Sequence, residues 1–240
     1  MKKLAAFAAA LVVALLLLVS CLETVQSSLS ASLRSGPRQG LDEDTVIAGL
    51  KEALRIGTKN AVDLVSKTDG YYRNPRITIP LPQDLKNVAD TLRRIGLGGK
   101  VDEFVQTMNR AAEEAAPKAV DIFVDAVAGM TVQDAMGILR GADNAATAYF
   151  ERKTRSALHS AFLPVVAKVL DQVGVTSLYK SIIQVYSALP GARRVTFDLN
   201  VYVTDRALDG LFLMLADEEK KIRKDPAARV TDLLRRVFGS

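Results

Sequence analysis

From Leu41 onward apolar side chains return every third or fourth residue, and that spacing commits most of the chain to helix. Val46, Ile47, Leu50, Ala53, Leu54, Ala61, Leu64 and Val65 share one face, so this segment buries one side. Asp42 suits the N-cap, and Glu43 and Asp44 suit the positive end of the helix dipole. Gly49 and Gly57 weaken the helix but leave room for a neighbouring helix to approach. Asp69-Gly70 closes it with turn chemistry.

The same spacing places a helix from Gln83 or Asp84 to Gly96 and another from Val101 to Ala128, bent at Pro117. Thr131-Val132-Gln133-Asp134 is a capping box that opens a short helix ending at Gly141. Asp143 caps the next, which Pro164 kinks or restarts before Gly174; another runs from Thr176 to Pro190-Gly191. Thr204 caps a helix with Leu208, Leu211, Phe212 and Leu215 inward, leading to the charged run Asp217-Glu218-Glu219-Lys220-Lys221. Asp225-Pro226 opens the last, whose apolar face of Val230, Leu233, Leu234, Val237 and Phe238 would dock on the body or lie on a membrane.

Two segments break this pattern. Pro75, Pro80 and Pro82 exclude helix between Tyr71 and Pro82, and Arg76-Ile77-Thr78-Ile79 alternates as a short edge strand would. Val195 to Val203 alternates apolar and polar residues throughout. A lone strand is unstable, so the two are expected to pair. The predicted fold is mainly α, one domain over residues 41–240, with a small ribbon of Arg76–Ile79 against Val195–Leu199.

The N-terminal region is different in kind. Met1-Lys2-Lys3 precedes an unbroken apolar run from Leu4 to Val19, the layout of a secretory signal peptide. The run is short for a membrane span, which needs ~20 apolar residues. Leu18-Val19-Ser20-Cys21 resembles the bacterial lipobox. That resemblance implies cleavage before Cys21, a diacylglyceryl group on its sulfur and acylation of the new amine. Each buried CH₂ adds ~0.8 kcal/mol, so several acyl chains hold where one would not. Residues 1–20 are then signal peptide, and residues 21–40, rich in Ser with Gly36-Pro37, are a tether. An uncleaved anchor helix, or an ordinary signal peptide cut within Ser28 to Ser32, are the alternatives. Leu22 after Cys21, rather than Asp, favours the outer membrane by resemblance to enterobacterial sorting.

Composition removes several chemistries. The chain has 240 residues, one cysteine, one histidine (His159) and no tryptophan. With Cys21 lipidated, no thiol remains for catalysis or a disulfide, and no metal or other cofactor is expected. The net charge is +5, of which Lys2 and Lys3 supply two, so the working chain carries +3 and does not point to nucleic acid. Gly96-Leu97-Gly98-Gly99-Lys100-Val101 lacks the first glycine and the hydroxyl residue of a phosphate loop and reads as a turn between helices. Asp121 and Asp125 lie one helical turn apart, as a solvated face or an acid–base pair would. His159, beside Leu158 and Phe162, reads as structural.

The densest polar and aromatic stretch is Asp143 to Thr154. On a helix Tyr149 and Lys153 share a side and could hold an anionic or aromatic group, with Asp143 at the helix start. Arg110 could contact an anion or pair within the chain. Arg110, Asp143, Tyr149 and Lys153 are therefore the candidate ligand-binding residues, with Cys21 the lipidation site and no catalytic set assigned.

Several motifs carry a family resemblance. Asp69-Gly70-Tyr71-Tyr72, Ile79-Pro80-Leu81-Pro82, Met108-Asn109-Arg110-Ala111-Ala112-Glu113, Ala145-Ala146-Thr147-Ala148-Tyr149-Phe150, Gln172-Val173-Gly174-Val175-Thr176 and Asp205 to Phe212 together resemble a family of bacterial exported proteins, domain-of-unknown-function family 4197. The resemblance spans roughly Leu41 to Phe238 and implies a mostly helical envelope domain, without assigning a role to any position. The functional expectation is a non-enzymatic module, anchored to the membrane through the acyl groups on Cys21, that binds an envelope protein in the periplasm. A carrier of lipid or another small hydrophobic ligand is the first alternative. A metal-independent enzyme with Asp143, Tyr149, Lys153 and Arg110 in one cleft is the second.

Overall fold

The computed structural model describes residues 43–94, 96–172, 174, 179 and 198–224. The helices are α1 (Glu43–Val65), α2 (Lys86–Arg94), α3 (Gly98–Ala115), α4 (Ala119–Ala128), α5 (Val132–Arg140), α6 (Ala145–Gln172) and α7 (Leu199–Lys224). Short 3₁₀ turns, Gln83–Leu85 and Ala116–Lys118, lead into α2 and α4. The described part is mainly α and holds no strand. The expected signal segment, Cys21, most of the helix expected from Thr176 and the one expected from Asp225 lie outside the described residues.

The long helices α6 and α7 pack along each other, with α3 against α6 and α1 against α7. Where α4, α6 and α7 meet, the Phe123 ring stands edge-on to Phe150 (centroids 5.3 Å apart) and to Phe212 (6.2 Å). The apolar stripe of α1 is buried through Leu50, Ala53, Leu54, Ala61 and Val65, as its spacing predicts, whereas Leu64 is exposed. Gly57 serves close packing, because a Cβ there would stand 3.3 Å from the Ile222 side chain of α7. At Pro117, where a bend is predicted, a 3₁₀ turn separates α3 from α4. At α5 the capping box is present: Asp134 N–H donates to Thr131 Oγ1 (3.1 Å), and Thr131 N–H donates back to Asp134 Oδ2 (3.2 Å).

Three local expectations need correction. The ribbon does not form. Arg76–Ile79 is turn and extended loop, and Leu199 to Val203 is the first part of α7; Val195 to Phe197 lie outside the described residues. Alternation at Ile77 and Ile79 is real burial, at 6% and 1% exposure, but the loop finds its partner in a side chain. Ile79 N–H donates to Asn109 Oδ1 (2.8 Å) and Ile79 C=O accepts from Asn109 Nδ2 (3.0 Å), so one amide of α3 supplies both bonds a strand would have supplied. In α7, Leu199 and Val203 are four apart and both buried, a spacing that fits helix as well as strand. Second, the cap of α7 is Asp198, whose Oδ1 accepts from Asn200 N–H (2.9 Å) and Val201 N–H (3.1 Å); Thr204 is buried inside the helix. Third, α6 does not restart at Pro164 but continues through it. Pro164 and Ser160, whose carbonyl loses its usual donor, are both exposed, so water can satisfy that carbonyl.

Candidate functional site

The loop after α1 is held by a buried polar cluster from α3. Asp69 has a positive φ of 68° and Gly70 follows it; a Cβ on Gly70 would stand 2.6 Å from the Val65 carbonyl oxygen, so only glycine fits. This turn aims two backbone N–H groups at α3. Tyr71 N–H (3.0 Å) and Tyr72 N–H (3.2 Å) both donate to Oε1 of Glu113, a residue 4% exposed. Glu113 Oε2 accepts from Arg110 (2.6 Å), whose other arm donates to Asp69 Oδ1 (2.6 Å). Glu113, then Asp69, hold the guanidinium of Arg110 above its ordinary range against the cost of burial. The Arg110 guanidinium also lies over the Tyr72 ring, 5.8 Å from its centroid.

Tyr71 extends this cluster to α7. Its ring is fully buried and its hydroxyl donates to the Ala207 carbonyl (2.6 Å). Burial, with Glu113 nearby, pushes its phenol well above the ordinary tyrosine value. A Cβ at Gly210 would stand 2.7 Å from the Tyr71 ring and 3.0 Å from Ile77, so the missing side chain is the seat for that ring. The motifs around Asp69, Ile79, Asn109 and Gly210 thus meet at one place, and what they do there is join a loop to two helices.

A second buried carboxylate does the same at the start of α6. Glu219 Oε1 accepts from Ala146 N–H (2.9 Å), and Oε2 accepts from Thr147 N–H (2.8 Å) and the Thr147 hydroxyl (2.8 Å). These N–H groups have no partner inside their own helix, and α7 reaches across to cap them. Arg223, one turn further along, neutralises Glu219 (2.9 Å) and donates to the Ile138 carbonyl (2.8 Å).

The four candidate ligand-binding residues fall in separate surroundings. Arg110 belongs to the loop clamp. Asp143 pairs with Lys224, whose ammonium holds its carboxyl below the usual range. Tyr149 is buried in α6, its hydroxyl donating to the Ala126 carbonyl (3.2 Å). Lys153 is exposed, with its Nζ 6.0 Å from the Tyr149 ring centroid; Arg152 lies 5.8 Å from the same ring. Tyr149 and Lys153 are therefore neighbours, while Arg110 and Asp143 are engaged by other partners. His159 is half-buried and faces Asp205 at 3.7 Å. The spacing of Arg110 and Glu113 signals their ion pair, but neither the interior position of Glu113 nor that of Glu219 is visible in a charged stretch of sequence.

An apolar recess lies between α2 and the start of α3. Leu85, Val88, Leu92, Val101, Phe104 and Tyr179 are among the residues that line it, with Lys100 at its edge, and it is open to solvent with little enclosed space. No single described helix is long and apolar enough to cross a membrane.

The fold and these clamps define a mainly α domain that uses buried carboxylates to fasten a loop and a helix end. The chain belongs to the family described as Protein of unknown function (DUF4197), whose model matches residues 40–239. Neither a curated protein nor a solved structure matches it.

Proposed function

We propose that this chain is a lipid-anchored binding module of the bacterial envelope, held by acyl groups on Cys21 and facing the periplasm from the outer membrane. The observation that carries this reading is the apolar run from Leu4 ending in Leu18-Val19-Ser20-Cys21. The engagement of Arg110, Asp69 and Glu113 within the fold favours binding over catalysis, because groups already paired with one another are poorly placed to take a substrate's protons. A second reading, carriage of a small hydrophobic ligand, draws on the apolar recess between α2 and α3.

Mass spectrometry of the protein extracted from membranes tests both. Under denaturing conditions the expected chain begins at Cys21 and carries a diacylglyceryl and an N-acyl group. A chain that retains residues 1–20, or an unmodified Cys21, contradicts the anchor. Under native conditions a co-purifying apolar ligand supports the second reading, and a bare protein counts against it.

A further inference from the structure

Arg152 and Lys153 are the two cations of α6 that share the Tyr149 ring. Arg155, the next along, is paired with Glu151 (2.8 Å) and Asp209 (2.5 Å). Among the described residues Arg152 and Lys153 make no ion pair; both lie against the Tyr149 ring, at 5.8 and 6.0 Å from its centroid. That ring is 4% exposed and tied by its hydroxyl to the Ala126 carbonyl, so it is a fixed platform that holds two exposed cations side by side. The first turn of α5 adjoins them: the charges of Lys153 and Arg152 both act on Asp134, whose carboxylate is occupied by the Thr131 hydroxyl (2.7 Å). The same turn presents Val132, 54% exposed, one of the few large apolar side chains the described surface leaves in water.

Two exposed cations that make no ion pair among the described residues, with an exposed valine on the adjoining turn, match the chemistry of a bilayer interface. Cations meet phosphates, and the valine meets the boundary of the acyl region. We propose that the face formed by Arg152, Lys153 and Val132 rests on the anionic phospholipid surface to which the chain is anchored. The inference rests on the lipid-anchored reading in one respect. Residues 21–42, even fully extended, would span roughly 75 Å at ~3.3–3.6 Å per residue, so an anchored domain stays within reach of the bilayer. Tethering raises the effective concentration of that surface, so a weak patch suffices to orient the domain.

The test uses the mature chain from residue 21 with Cys21→Ser, so that no acyl group contributes. Its partition onto vesicles of phosphatidylcholine alone is compared with vesicles in which phosphatidylglycerol replaces one lipid in three. The expected result is preferential binding to the anionic vesicles, lost at high salt. Each cation near such a surface contributes enough that R152Q/K153Q should bind about 30-fold more weakly. R152K/K153R, which keeps both charges, should bind like the parent, R152Q/K153Q should melt with the parent, and R152K/K153R binding as weakly as R152Q/K153Q would overturn the proposal. K67Q/K86Q removes two exposed cations elsewhere and should change binding less than twofold. Equal binding to both vesicle types, or an equal loss in K67Q/K86Q, overturns the proposal. Because the chain tested carries no lipid, this failure is separate from failure of the anchor, which the mass at Cys21 reads.

Discussion

Glu113→Ala is expected to lower the melting temperature by about 6–12 °C, the shift that ~3 kcal/mol produces in a domain of this size. One carboxylate serves three donors: Tyr71 N–H, Tyr72 N–H and the Arg110 guanidinium. Alanine strips the acceptor from a buried backbone N–H, at ~1–3 kcal/mol for each buried group left unsatisfied. It also leaves Arg110 with only Asp69, and breaking a buried pair by removing one partner costs ~3–5 kcal/mol. Arg110 keeps partial contact with water, so the lower end of the combined range applies. Glu113→Gln should fall between alanine and the parent. Its oxygen can still accept from Tyr71 and Tyr72, but its NH₂ then faces the guanidinium. Glu114→Ala, at the exposed neighbouring position, should change stability by less than ~0.5 kcal/mol. A Glu113→Ala protein that melts with the parent would refute the clamp.

Glu219→Ala should be at least as damaging, at about 3–4 kcal/mol. Two N–H groups at the start of α6 and the Thr147 hydroxyl lose their acceptor together. Arg223, only 15% exposed, loses the carboxylate that it holds at 2.9 Å. The double variant E219A/R223A should be less destabilised than the sum of the single variants, because each single change already loses the Glu219–Arg223 pair. Urea unfolding of the four proteins gives the coupling directly, and strict additivity would mean that the pair does not act as a unit.

These two carboxylates also show where sequence reading stops. Helical spacing, the Thr131–Asp134 capping box and the break at Pro117 are local, set by residues within a turn or two of each other, and each is legible. Glu219 stands in the run Asp217-Glu218-Glu219-Lys220-Lys221, which looks like a solvated end of a helix. In the structure Glu218 and Glu219 are 8% and 6% exposed, and the backbone N–H groups that Glu219 caps lie 72 and 73 residues earlier. Nothing within a turn of Glu219 announces that partner. The same limit explains the ribbon. Alternation at Ile77 and Ile79 correctly signals extended, half-buried backbone, but a period of two cannot say whether a strand or the side chain of Asn109 supplies the hydrogen bonds. Of the candidate site, the proximity of Tyr149 and Lys153 follows from their spacing on one helix. The separate engagements of Arg110 and Asp143 depend on Asp69 and Lys224, which only the tertiary fold brings to them.

On the proposed reading the chain carries an address at Cys21 and a separate domain held by its own clamps. Fractionation of cells expressing Cys21→Ser, combined with the melting temperature of the same protein, tests that division most directly. The expected result is loss of the protein from the outer-membrane fraction, with a melting temperature within about 1 °C of the parent, since the clamps that hold the domain all lie between Asp69 and Lys224. A Cys21→Ser protein that stays in the membrane as firmly as the parent, or one that melts well below it, would contradict the account.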